Sequence, residues 1–119
     1  MTFDIPSPYQ WDSSFCIGNN DLNEQHKKLF ALINTLDANR TSGAALKELL
    51  DFVVLHFKTE EDLFAKVGWS ESASHKEIHD KFVQDALALK SVGDAEMHFI
   101  KQWLVDHIKQ SDMKYKGVI

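Results

Sequence analysis

Histidines and carboxylates recur along this sequence at spacings that suit metal binding. Five of the six histidines and two carboxylates fall into four short groups. Residues four positions apart lie on the same face of an α-helix, so two such side chains can reach one ion. Imidazole nitrogen combined with carboxylate oxygen suits first-row metals such as iron. The candidate ligands, enough for two metal ions, are His26, His56, Glu60, His75, His79, His107 and Asp112.

The hydrophobic pattern predicts that these donors are buried. Between residues 46 and 67 apolar side chains recur every three or four positions, and His56 and Glu60 occupy two places in that stripe. Burying an imidazole without partners costs free energy, and burying a carboxylate costs more. A lone histidine on such a stripe is more often a hydrogen-bonded core residue. Five of them on converging stripes favour a metal site between the helices.

Two residues test this interpretation. His98 precedes His107 by nine positions, which at about 100° per residue places it on the opposite helix face, so we expect it to face solvent. Asp112 follows His107 by five positions, and an ideal α-helix would turn it about 140° away from that histidine. We therefore expect the helix to end or widen between Ile108 and Ser111, because π-bulges are frequent at functional sites. Without the other ligands, a solvated Asp112 would be an equal alternative.

Four helical segments are predicted to carry the donors. Residues 1–19 contain both prolines and several aromatic residues, which favours an extended, ordered arm. Short connections between the segments favour an all-α, antiparallel up-down-up-down four-helix bundle over residues 20–112, followed by a tail at 113–119. The first predicted helix begins near Asn20, with Asn20 or Asp21 as N-cap, and the second runs from Ser42 to Val67. The third begins at Ser70 or Ser72, with an apolar stripe that reaches Leu89, and the fourth begins near Asp94.

Length and composition limit the classes of protein that this chain can represent. A chain of 119 residues, 44% of them hydrophobic, is expected to form one domain over residues 1–119. The net charge of −5 disfavours nucleic acid and anionic membranes as partners. The single cysteine, Cys16, excludes an intrachain disulfide and is expected to be a reduced packing residue. The absence of a signal-like start and of a long apolar run predicts a cytoplasmic protein.

Over essentially its whole length the sequence resembles the hemerythrin family. All seven candidate ligands have the family's spacing. The arm at residues 5–12 and the segments 103–109 and 112–117 are similar to those of invertebrate oxygen carriers and myohemerythrins rather than to sensor domains. Asp106, Met113 and Cys16 depart from the pattern of the animal carriers without touching a ligand. The family contains monomers and octamers, so a homo-oligomer is left open.

The resemblance implies a centre of two non-haem iron ions joined by an oxo or hydroxo bridge. It assigns Glu60 and Asp112 to both irons, and His26 and His56 to one iron. The ligands of the second iron are then His75, His79 and His107. If each iron takes six ligands, one position stays open beside His26 and His56. Dioxygen is expected to bind there.

A dioxygen site also needs a dry pocket, because water promotes loss of the bound gas and irreversible oxidation of the metal. Apolar residues one helical turn from a ligand, or next to one in the sequence, can form its walls. Ordinary packing in the bundle core is the alternative for each of them. The pocket candidates are Leu29, Phe57, Trp103, Leu104 and Ile108.

The function implied by the resemblance is reversible, non-enzymatic binding of dioxygen for transport, storage or buffering. One alternative is a sensor of oxygen, nitric oxide or redox state that acts through a separate partner. Another is storage or detoxification of metals such as zinc or cadmium in the same cage. Oxidase chemistry is disfavoured, because ferritin-like di-iron enzymes use Glu-x-x-His pairs and more carboxylates than this chain provides.

Overall fold

Four antiparallel α-helices form a bundle in the computed structural model, which describes residues 3–6, 8–89 and 92–116. The helices are α1 (Asn20–Ala38), α2 (Gly43–Val67), α3 (Ser72–Leu87) and α4 (Asp94–Asp106). Helix α1 packs against α2 and α4, and α2 packs against α3. Within the described ranges there is no strand, and the predicted all-α four-helix bundle is confirmed. Parts of the predicted arm (residues 1, 2 and 7) and tail (residues 117–119) lie outside the described residues.

Side chains and one glycine define the ends of the first two helices. The N-cap of α1 is Asn19, whose side chain accepts a hydrogen bond from the amide of Leu22, and not Asn20 or Asp21 as predicted. Ser42 caps α2 by accepting from the amide of Ala45, so it precedes the helix that it was expected to begin. Gly68 ends α2 as predicted, with the positive φ of 67° that a left-handed C-terminal cap requires.

The apolar stripes of α2 and α3 end earlier than their periodicity predicts. Val67 was the last member of the α2 stripe but is 46% exposed, because it lies in the final turn beyond the packed part of the bundle. Helix α3 begins at Ser72, one of the two predicted starts, and ends at Leu87. Leu89 therefore lies beyond the helix and is half-buried. Met97, Ile100 and Leu104 of α4 are buried as predicted.

Helix α4 widens into a π-helix at the position where the sequence requires a change of register. The π-helix spans His107–Ser111 and is followed by a 3-10 helix at Asp112–Tyr115. The amide of Asp112 donates to the carbonyl oxygens of His107 and Ile108. A hydrogen bond between residues five apart closes one π turn, which returns Asp112 to the face of His107. The predicted widening is confirmed.

The N-terminal arm braces α4 just before this widening. The amide of Phe3 donates to Oδ1 of Asp106 at 2.8 Å, and Nε2 of Gln102 donates to the carbonyl oxygen of Phe3 at 2.7 Å. The ammonium of Lys109, in the π-helix, lies over the rings of Phe3 and Phe15. The described part of the arm thus packs against the bundle, and the short 3-10 turn at Ser13–Phe15 departs from the extended conformation that was predicted. None of the described helices has the length and apolar character needed to cross a bilayer.

Replacing Gly68 by alanine should lower the free energy of unfolding by about 1 kcal/mol, because an L-residue resists the left-handed conformation. Beyond the adjacent backbone, no described atom lies within 4 Å of the position of the added Cβ, so the cost comes from the backbone conformation alone. Gly43→Ala is the matched control. It also meets open space, and it places alanine in the first turn of α2, where no destabilisation is expected. Urea denaturation of both variants measures the difference, and equal stabilities would contradict this account.

Candidate metal centre

All four helical segments deliver donors to one buried cluster. The first helix contributes one histidine, α2 a histidine and a glutamate, α3 two histidines, and the end of α4 a histidine and an aspartate. Each of the seven side chains is at most 5% exposed. The structure thus brings together every predicted ligand, namely His26, His56, Glu60, His75, His79, His107 and Asp112.

The two oxygens of Glu60 face different histidines. Oε1 lies 2.5 Å from Nε2 of His56 and 3.6 Å from Nε2 of His26. Oε2 lies 3.1 Å from Nε2 of His75 and 3.6 Å from Nε2 of His79. This carboxylate therefore stands between two pairs of imidazoles.

Asp112 is placed in the same way. Its Oδ2 lies 3.1 Å from Nε2 of His26. Its Oδ1 lies 3.1 Å from Nε2 of His75 and 3.0 Å from Nε2 of His107. Both carboxylates thus present one oxygen to each side of the cluster, which is the arrangement that a carboxylate bridging two ions requires.

The donors divide into two groups whose atoms lie within 4.8 Å of one another. Both groups contain Glu60 and Asp112. One adds His26 and His56, and the other adds the remaining three histidines of the set. This is the division that the family resemblance implies. The role of these residues as metal ligands stays a prediction.

Several buried polar atoms in the cluster are close together without forming hydrogen bonds. Nε2 of His26, Oε1 of Glu60 and both carboxylate oxygens of Asp112 have no hydrogen-bond partner with acceptable geometry among the described residues. Nε2 of His79 and Nε2 of His107, by contrast, lie within hydrogen-bond distance of each other at 3.2 Å. Unsatisfied buried polar groups are rare in folded proteins. Polar atoms that lie so close together without hydrogen bonding to one another are arranged as ligands that could share a metal ion.

Without metal, protons would balance the two carboxylates. Burial alone would lower the pKa of His26 and of His75, but the negative charges of Asp112 and Glu60, whose oxygens lie 3.1–3.6 Å from their Nε2 atoms, outweigh it and raise both to about 9. Burial and mutual repulsion would raise the pKa of Glu60, yet His56 and His26 hold it well below its usual value. Burial likewise opposes the ionisation of Asp112, and the surrounding histidines hold its pKa low.

His79 behaves differently from these two histidines. Its burial lowers its pKa to about 3, and the nearby imidazoles of His107 and His75 add to the effect against the attraction of Glu60. A neutral imidazole is the form that binds a metal ion. His79 is therefore ready to act as a ligand at neutral pH, whereas a metal ion must displace protons from His26 and His75.

Two polar side chains that the sequence interpretation missed orient ligand histidines from outside. Nδ1 of His56 is 2.7 Å from Oε1 of Gln25, and Nδ1 of His79 is 3.3 Å from Oε2 of Glu61. Such outer partners fix the ring and its tautomer. Gln25 and Glu61 immediately neighbour His26 and Glu60 in the sequence. The sequence offered one sign of this role, which is a polar residue at the edge of the helical stripe that carries the ligands.

Aromatic rings cover the imidazoles. Phe57 stacks on His79 with 3.8 Å between ring centroids, and Trp103 stacks on His107 at 4.4 Å. Tyr115, which the sequence interpretation missed, is fully buried. Burial, together with the neighbouring carboxylates, raises the pKa of Tyr115, so its hydroxyl stays protonated. Its position one turn beyond Asp112 in a predicted tail gave little indication of this burial.

A small apolar cavity of about 20 Å³ lies beside these rings. Four of the five predicted pocket residues line it, and Ile108 does not. Ile108 is fully buried, but the π-helix that begins at His107 breaks the stripe that would have continued from Leu104. His98 is exposed, as predicted. The complete lining is Leu29, Ile33, Val53, Phe57, Phe82, Ile100, Trp103 and Leu104.

Comparisons with known proteins agree with this geometry. The hemerythrin HHE cation binding domain family matches residues 18–119. The chain belongs to the hemerythrin family. A hemerythrin-like protein of Naegleria gruberi is 79% identical over 119 residues, covering the whole of both chains, and the myohemerythrin of Riftia pachyptila is 43% identical over 118 residues and 98% of each chain. A crystal structure of wild-type hemerythrin matches with a TM-score of 0.85 at 30% identity, covering 92% of this chain and 95% of the other.

Metal uptake at pH 7 should release about two protons per chain, because His26 and His75 are protonated in the metal-free protein and neutral as ligands. Adding Zn²⁺ to metal-free protein in weak buffer with a pH indicator measures this release. The apparent affinity should rise with pH up to about 9, where both histidines lose their protons. Uptake without proton release, or an affinity independent of pH, would contradict the charge balance described.

The stability of the metal-free protein should show the opposite trend with pH. The folded-state pKa of His26 and of His75 lies near 9, above the ordinary value of 6.5. The contribution of these two histidines to the free energy of unfolding is therefore complete below about pH 6.5 and is lost as the pH rises toward 9. Denaturant titrations of metal-free protein at pH 6, 7.5 and 9 should give falling free energies of unfolding. A constant stability over this range would contradict the raised pKa values.

Proposed function

We propose that this hemerythrin-family protein binds dioxygen reversibly at two iron ions held by the seven donors. The main support is the unequal division of the histidines around two shared carboxylates. Each side of the cluster receives one oxygen from Glu60 and one from Asp112. The side with His26 and His56 therefore has one protein donor fewer, and a small ligand would bind there.

The choice of donors favours binding over oxidation chemistry. When bound, the iron pair supplies the two electrons that dioxygen binding moves, one from each ion. Five neutral imidazoles favour the lower oxidation states of iron, whereas the carboxylate-rich sets of ferritin-like enzymes favour the higher ones. The protein side chains have to hold the metals, keep the imidazoles neutral and exclude water. We therefore propose a binding protein and not an enzyme.

The cavity beside the cluster suits a gas better than water. Its volume of about 20 Å³ exceeds the roughly 10–15 Å³ that one water-sized molecule requires. A water molecule there would need two to four polar partners, and the walls consist of apolar side chains. Phe57, one of the wall residues, stacks on His79, and its ring centroid also lies 5.9 Å from that of His56, so the cavity borders the two-histidine side as well. We propose that the cavity keeps the gas-binding side dry and receives dioxygen.

Optical spectra under controlled oxygen test the proposed function. The anaerobically reduced, iron-loaded protein should be colourless, because ferrous iron with these donors has no strong visible band. It should gain a visible absorption band on exposure to oxygen and lose the band under vacuum. Continuous oxygen consumption would instead indicate an oxidase. Binding of metal without any response to oxygen would favour metal storage.

Leu104→Ala should speed irreversible oxidation of the iron several-fold, because enlarging the cavity admits water. Iron content should not change, since no ligand is removed. Leu36→Ala is the control, because Leu36 is fully buried and does not line the cavity. Both substitutions should cost about 2–5 kcal/mol of stability. Equal oxidation rates in the two variants would show that the effect comes from lost packing and not from the cavity.

A further inference from the structure

The two proposed metal positions differ in the hydrogen-bond partner of one ligand histidine. This partner faces Nδ1 of the histidine, while Nε2 faces the cluster. On the two-histidine side, Nδ1 of His56 faces the neutral amide oxygen of Gln25 at 2.7 Å. On the three-histidine side, Nδ1 of His79 faces a carboxylate oxygen of Glu61 at 3.3 Å. Helices α1 and α2 provide these partners from different directions, so the difference is built into the bundle.

A chain of hydrogen bonds fixes which atom of Gln25 faces His56. The hydroxyl of Thr59 donates to the carbonyl oxygen of Leu55 at 3.0 Å, so its oxygen accepts from Nε2 of Gln25 at 3.3 Å. The amide oxygen of Gln25 must then face the ring. Nδ1 of His56 consequently carries the proton, and the lone pair of its Nε2 faces the cluster. Gln25 is thus a neutral acceptor with a defined orientation.

Glu61 has the corresponding position at His79 but carries a negative charge. Its side chain is 25% exposed, whereas His79 is almost completely buried. A hydrogen bond from Nδ1 to a carboxylate pulls the proton away from the ring more strongly than a bond to an amide does. The ring then donates more electron density through Nε2. An imidazole that donates more strongly stabilises a more highly charged metal ion.

Two of the other three ligand histidines have no outer partner that could cancel this difference. Nδ1 of His26 and Nδ1 of His107 are buried and have no hydrogen-bond partner among the described residues. Each side of the cluster therefore has one histidine whose Nδ1 lacks such a partner. The partners of His56 and His79 are the ones that differ in charge.

We infer that Gln25 and Glu61 are positioning residues that make the two metal positions unequal electron acceptors. Through His79, Glu61 stabilises the oxidised metal on the three-histidine side. Gln25 leaves His56 a weaker donor, which favours the reduced state on the side where the proposed function places dioxygen. This inference deepens the proposed function and depends on it for the identity of the metal. The difference in donor strength applies to any divalent ion in the same positions.

Two nearly isosteric substitutions exchange the two outer partners. Glu61→Gln should lower the affinity for Co²⁺ about 10-fold and raise the reduction potential of the iron-loaded protein, because His79 donates less. Gln25→Glu should raise the Co²⁺ affinity about 10-fold, lower the potential and speed irreversible oxidation of the iron. Competition with a chelator measures the affinity, and an anaerobic redox titration measures the potential. Visible spectra of the Co²⁺ forms report the ligand field directly.

Matched controls distinguish the effect of the contact with the histidine from the effect of a change in the net charge of the protein. Asp62→Asn removes one negative charge beside Glu61, from an exposed side chain that pairs with Lys58. Gln10→Glu adds one negative charge at an exposed position of the arm. Both should leave affinity, potential and Co²⁺ spectrum near those of the natural sequence. If the substitutions at 25 and 61 shift these quantities no more than the controls do, the inference is wrong.

Two further measurements distinguish a failure of this inference from a variant that does not fold and from a failure of the proposed function. If Gln25→Glu does not fold, Gln25→Met removes the acceptor without adding charge and should lower the Co²⁺ affinity. An unchanged affinity in that variant would also overturn the inference. If the natural protein fails to bind oxygen reversibly while the variants shift as expected, the proposed function is wrong and the difference in donor strength stands. If oxygen binds reversibly and the variants do not shift, only the inference fails.

Discussion

Two carboxylates buried within reach of each other impose the main constraint on this structure. Glu60 and Asp112 are both fully buried, and their charges repel. Burying even one ionised carboxylate is very costly unless cationic or hydrogen-bonding groups surround it. Five imidazoles provide that environment, whether through their own protons or through metal ions between them. The positions of all four helices relative to one another follow from the need to bring these rings to the same two side chains.

The surroundings of the cluster increase the strength of its interactions. Phe57, Trp103 and Tyr115 replace water around the imidazoles with rings of low polarity. Charges attract and repel more strongly in such surroundings than they do in water. Phe57 and Trp103 also line the small cavity, so these two side chains contribute both to the low-polarity environment and to the proposed space for a gas. Packing and chemistry are therefore difficult to change independently in this bundle.

Helical periodicity was sufficient to predict the inward-facing donors, because a stripe with a period near 3.6 residues determines which side chains face the core. The same reasoning placed His98 in solvent and required the widening before Asp112. It could not identify Gln25 or Glu61 as outer partners. These residues lie at the borders of their stripes, where a contact depends on how far neighbouring helices are rotated and shifted. That relation between helices is a property of the packed bundle and not of any single segment.

Errors at the helix ends have a related cause. Asn19, Asn20 and Asp21 all have side chains that can cap a helix, and only the backbone conformation of each residue decides among them. Ile108 was assigned to the pocket because it directly follows the candidate ligand His107 in the sequence. The π-helix that brings Asp112 into place also moves the following residues out of the α-helical register. The same π-helix thus confirms the predicted widening and leaves Ile108 outside the lining of the cavity.

The pairing of Phe3 with Asp106 has a consequence for how the chain folds. The two residues are 103 positions apart, so the bond between them closes a loop that contains nearly the whole chain. Closing so long a loop costs the most entropy when the intervening chain is still disordered. The helices must therefore assemble before the arm docks, and during synthesis the first residues made are among the last to reach their final contacts. Until that step, the segment bearing His107 and Asp112 lacks its outer support.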